Sequence, residues 1–185
     1  MLAQVTAVLV ALVPEQITAD PDAAVNAAIA APMRALDTAL AREAALPPAA
    51  TDAERLERMG AIDQSFRLQM HKMPLAGLSA EQVKAAFAVI AARIDPIDQR
   101  NRDAVMAMLP KEGWFCFTAY GRPASEAAFH IINHSDLETR QKILPALERM
   151  AMQGDARRGR WRRPMGFRIS FADMVQRRSR PGERC

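Results

Sequence analysis

Apolar residues recur at helical spacing along most of the chain. In LSAEQVKAAFAVIAARI, residues Val83, Ala86, Phe87, Ile90 and Ile94 fall on one helical face. Ser79 and Gln82 stand at the spacing of a capping box in front of that run. TDAE, residues 51–54, repeats the device ahead of RLERMGAIDQSFRLQMHKM, and Ser135 with Glu138 predicts a third opening DLETRQKILPALERMAMQ. Asp95-Pro96 is expected to stop one helix and start the next, IDQRNRDAVMAML, which ends at Pro110. Pro145 is expected to kink or divide the last helix, because its ring removes a donor and crowds the preceding turn.

Before these lies DAAVNAAIAAPMRALDTALAREAAL, a helix pattern interrupted at Pro32, followed by the linker-like LPPAA at 46–50. Only GWFCFTAYG suggests a short extended segment, and no internal repeat is present. The pattern predicts an all-α fold, a small irregular helical bundle with a short non-helical loop around residues 110–122. It divides the chain into a helical arm and Pro-rich linker over 20–50, a core domain over 51–153, and a tail.

Composition agrees with helix, since Ala dominates the apolar half and only ten residues are aromatic. Charge changes the picture at the end of the chain. Residues 154–185 hold ten Arg and no Lys against Asp155, Asp173 and Glu183, a net +7, while residues 1–153 carry −3. The basic pI therefore belongs to an Arg-rich tail that is expected to be disordered, and any anionic partner would be met there.

At the other end, Leu2–Val13 is an apolar run with a tolerable cleavage site after Ala19 and no Lys or Arg before Arg34. Two readings stay open: a signal peptide, which sends the chain to the periplasm or outside, or an apolar first helix of a cytoplasmic protein. The run is too short to span a bilayer as a helix, so no integral membrane span is expected. Two cysteines make no disulfide framework, and Cys116 is expected to be buried and unpaired.

Candidate chemistry gathers in a few places. His130 and His134 are four apart on a helix pattern, but HIINH lacks the glutamate of H-E-x-x-H, so no metal site is assigned. Asp63, Gln64 and Arg67 lie within two turns; Asp98 and Asn101 are three apart and share a face. His134 is the candidate general base, with Asp98 and Asn101 orienting it or the substrate, if helix packing brings them together. The alternative is a buried polar network in which each member satisfies another. Gly113 suits a backbone position of positive φ, and Trp114 beside it is a large anchor. There is no G-x-S-x-G nucleophile elbow, no Gly-rich phosphate loop and no cofactor motif.

In order, these residues resemble a bacterial family built on a domain of unknown function, whose members are often exported. The pattern is D-Q-x-x-R, D-x-x-N, G-W, then G-x-x-A-S-x-A-A-[WF]-x-I-[VI]-Q-H-[AS]-D, a glutamine and a Leu-Pro. Here those are Asp63, Gln64 and Arg67; Asp98 and Asn101; Gly113 and Trp114; Gly121 through Asp136; Gln141; and Leu144-Pro145. Asn133 replaces the usual Gln, and His130 has no counterpart. The resemblance covers about residues 52–153 and implies a helical domain with a shared polar cluster, to which Asp63, Gln64, Arg67, Trp114 and Gln141 are assigned as binding residues. It implies no reaction and no cofactor. The family's usual Asp-Arg and Y-G-T-Q ending is absent, and the all-Arg tail is what a GC-rich gene yields in a shifted frame. Three functional expectations follow: a small exported domain with a binding or structural role around His134, a hydrolase-like enzyme using His134 as base, and polyanion binding through the tail.

Overall fold

The computed structural model describes residues 21–156. The apolar run with its cleavage site, and the Arg-rich tail beyond Ala156, lie outside the described residues. Among the described residues there are six helices and no strand: α1 (Pro21–Ala44), α2 (Asp52–Met70), α3 (Ala80–Ala107), α4 (Phe117–Tyr120), α5 (Arg122–Asn133) and α6 (Leu137–Met152). The fold is a small all-α bundle, as the periodicity predicts.

The helix starts follow local chemistry. Thr51 Oγ1 accepts the Glu54 amide at 3.1 Å, while the Glu54 side chain takes the Ala50 amide at 2.8 Å. Ser79 and Gln82 form the full reciprocal box. The third start differs from expectation. Asp136, not Ser135, caps α6 by accepting the Thr139 amide at 2.8 Å, and the Ser135 hydroxyl instead bonds back to the Ile131 carbonyl at 3.2 Å. A carboxylate at that position also meets the positive end of the helix dipole.

The proline expectations are corrected. α3 runs through Pro96 as one 28-residue helix, and α6 runs through Pro145. In both cases the ring faces solvent, and the residue four back whose carbonyl loses its donor, Ala92 or Gln141, is exposed, so water can replace the bond. The buried face of α3, with Ile94 and Ile97, continues across the proline undisturbed. α1 likewise continues through the buried Pro32. The expected extended segment is irregular chain over Trp114–Cys116 leading into the single turn of α4.

Two apolar clusters make the core. One joins α1, α2 and α3 through Val25, Ile29, Leu36, Ile62, Phe66, Ile90 and Ile94. The other joins Leu56 and Val105 to Trp114, Phe115, α5 and α6. Leu36 is fully buried, and α1 packs against α2 and α3. Around the second cluster the irregular segment is held at its base: Gly113 takes φ +84°, and the Phe117 amide donates to the Asp155 carbonyl at 2.8 Å. The buried Asp155 side chain takes the Thr118 amide and hydroxyl at 2.9 and 2.8 Å. Cys116 is buried, as expected, but its sulfur is not free.

Candidate functional site at the seam between two cores

α2 and α3 each pass from one apolar cluster to the other. On α2, Leu56 belongs to one cluster and Ile62 and Phe66 to the other; on α3, Ile97 belongs to one and Val105 to the other. Asp63 directly follows Ile62 on α2, and on α3 Asp98 and Asn101 lie between Ile97 and Val105. These polar side chains, joined across α2 and α3 by Arg67, mark the seam between the clusters.

The close approach of α2 and α5 sets the geometry. A Cβ placed on Gly60 would stand 2.5 Å from the Ala127 Cβ, so only glycine lets the two backbones come this near. Asp63 is one turn beyond Gly60, and His134 is two turns beyond Ala127 at the C-cap of α5. The crossing therefore carries the His134 ring to Asp63.

Asp63, 1 % exposed, accepts from three side chains. Arg67 Nη1 donates to Oδ1 at 2.8 Å, Gln64 Nε2 to Oδ2 at 2.6 Å, and His134 Nδ1 lies 3.2 Å from Oδ1. Arg67 reaches across to α3 with its other nitrogen, Nη2, donating to Asp98 Oδ2 at 2.5 Å. Burial is the largest influence on the Asp63 carboxyl and pushes it up. The His134 hydrogen bond, the Arg67 charge and the Gln64 bond together outweigh burial and hold it below the ordinary aspartate range. For Asp98 burial again leads and here prevails over Arg67, so its carboxyl is raised. The two carboxyls are driven apart.

An ionised Asp63 can only accept, so Nδ1 is the ring nitrogen that donates to it and Nε2 is the nitrogen left for other contacts. The ring is a quarter exposed.

Of the residues singled out in the sequence, Asp63, Gln64, Arg67, Asp98 and His134 do meet. The side chain in contact with His134 Nδ1 is that of Asp63, and no hydrogen bond joins the ring to Asp98 or Asn101 among the described residues. Asn101, 3 % exposed, leaves Nδ2 without a hydrogen-bond partner, as does Asp98 at Oδ1. Trp114, assigned to binding, is fully buried in the apolar cluster with Phe115 edge-on at 5.9 Å, and its Nε1, like Asn101 Nδ2, has no hydrogen-bond partner among the described residues. Gln141 is exposed on α6, and no hydrogen bond joins it to the cluster among the described residues. The pairing of His130 and His134 on one face has no continuation: among the described residues no group of three His, Cys, Asp or Glu side chains could hold a metal. No described helix is long and apolar enough to cross a membrane.

Sequence reasoning missed Arg102. It joins α3 to the α6 cap through Asp136 at 2.9 Å, two residues beyond His134 in the chain. It missed Gly60 as well, a glycine in mid-helix whose only signal was its poor helix propensity. No family model, curated protein or solved structure matches the chain.

Proposed function

We propose that the protein is a small helical binding module whose site is the seam cluster around His134. The observation that carries this reading is the unequal satisfaction of the cluster. Asp63 is fully partnered, whereas Asp98 Oδ1 and Asn101 Nδ2, an acceptor and a donor one turn apart on α3, are buried without partners. Such atoms are costly unless something pairs with them. A hydroxyl or carboxamide, which both donates and accepts, suits that pair, with the His134 ring at the rim.

The test is a thermal-shift screen of sugars, amino acids and simple amides against the native chain and the His134→Ala and Asn101→Ala variants. Stabilisation by a compound that both variants lose, with their helical circular dichroism intact, supports the reading. If the variants only lower stability and no compound depends on them, the cluster merely ties helices together.

A second reading is favoured by the Asp63–His134 contact at 3.2 Å. A buried carboxylate on Nδ1 orients an imidazole and stabilises the imidazolium formed when Nε2 takes a proton, so the cluster suits a general base activating water for hydrolysis. Turnover of p-nitrophenyl acetate that falls to background in both His134→Ala and Asp63→Asn would favour it; equal rates in all three proteins would end it. Export to the periplasm, kinship with the domain-of-unknown-function family and polyanion binding by the Arg-rich tail are carried as proposals from the sequence alone.

A further inference from the structure

Away from the seam, α1 and α2 enclose an open groove of about 610 Å³ beyond the end of the seam cluster, within the range of small-molecule sites. Ala35, Ala39, Ala61 and Ile62 give it an apolar floor, and the half-exposed Leu46 extends that surface. Arg34 and Arg42 stand on the same side of α1, eight residues and about 12 Å apart.

Charge in the groove is unbalanced for a structural reason. The third arginine, Arg58, is committed: it pairs with Glu54 and with Glu43 at 3.6 Å, and donates to the Pro47 carbonyl at 2.6 Å, closing one end of the groove. Those contacts consume the groove's only carboxylate. Asp37, the other acid near Arg34 on α1, is turned away to Arg93 on α3 at 2.6 Å. Among the described residues Arg34 and Arg42 have no carboxylate partner, so two positive charges border an apolar floor.

We infer that this groove binds an amphiphilic organic anion, a single alkyl chain with a carboxylate or phosphate head, the tail lying along Ala35, Ala39 and Ile62 and the head taken by Arg34 or Arg42. Guanidinium groups hold such heads through paired, charge-assisted hydrogen bonds. The site is separate from the seam cluster and does not depend on the reading of His134.

Titration calorimetry with monomeric decanoate on the full chain, beside decyl phosphate and decyltrimethylammonium of the same chain length, tests it. Both anions are expected to bind once per chain and the cation not to bind. The doubled substitution Arg34→Gln/Arg42→Gln is expected to weaken decanoate on the order of tenfold, with His134→Ala leaving it unchanged. Amide and methyl NMR shifts on the unaltered chain should map to Ala35, Ala39, Ala61 and Ile62. Equal binding of the cation, full affinity in the doubled variant, or shifts centred on Asp98 and Asn101 would each overturn the assignment.

Discussion

The two apolar clusters are built by different means. The one formed by α1, α2 and α3 is aliphatic apart from Phe66, and its members repeat at helical spacing on long helices: Val25, Ile29 and Leu36; Ile62 and Phe66; Ile90, Ile94 and Ile97. The other contains Trp114 and Phe115 from irregular chain, set between short helices and secured by Gly113 and by the backbone and side chain of Asp155. Periodic packing needs only a face; the second kind needs a particular loop geometry. Because α2 and α3 serve both, the clusters are not two domains, and the mismatch between them is taken up by the polar seam.

Truncating a fully buried side chain in each cluster tests that continuity. Trp114→Ala should cost about 4 kcal/mol, and Leu36→Ala about 3 kcal/mol, the usual penalties for emptying buried sites of that size. Both should shift one and the same urea transition followed by circular dichroism, since α2 and α3 transmit the loss. If Leu36→Ala instead produced a separate early step, α1 would be the detachable arm that its proline-rich linker suggests.

The same contrast explains what was legible in the sequence. Helix faces and two of the caps were, because periodicity and capping are local. Pro96 and Pro145 misled because the cost of a proline depends on whether the freed carbonyl meets water, a tertiary fact. At the seam, residue types were legible: Asp63, Arg67, Asp98 and His134 were all singled out. Their pairing was not, since it depends on how closely α2 and α5 cross, and neither was the full burial of Trp114, because a motif tryptophan looks the same in a core as in a cleft.

That crossing is the next place to press. Gly60→Ala adds a methyl 2.5 Å from the Ala127 Cβ, where backbone stands behind both atoms. It should cost about 2 kcal/mol through overpacking, against the smaller gain expected from better helix propensity. It should also loosen the His134–Asp63 contact, seen as a change in the His134 ring's NMR chemical shifts. The paired change Gly60→Ala with Ala127→Gly should recover much of both. A Gly60→Ala chain as stable as the parent, with unaltered ring shifts, would mean that the crossing does not set the site.

The smallest expected effect is pH dependence, because the two seam carboxyls act in adjacent windows with opposite sign. Asp63 is held below the ordinary aspartate value, so below about pH 4 the unfolded chain takes up its proton first, and stability falls as pH drops through that window. Asp98 is raised, so above about pH 4 the folded chain keeps a proton the unfolded chain has released, and stability falls as pH rises towards the folded Asp98 value. Together they contribute a shallow maximum near the ordinary carboxylate range. Asp98→Asn should flatten the limb above it, and Asp63→Asn should weaken the limb below, where the lowered Asp136 and Glu54 still act in the same direction. Urea midpoints measured from pH 3 to 7 separate the limbs. An upper limb that survives Asp98→Asn would show that burial does not govern this carboxyl, and the seam would then be an ordinary, balanced ion-pair network.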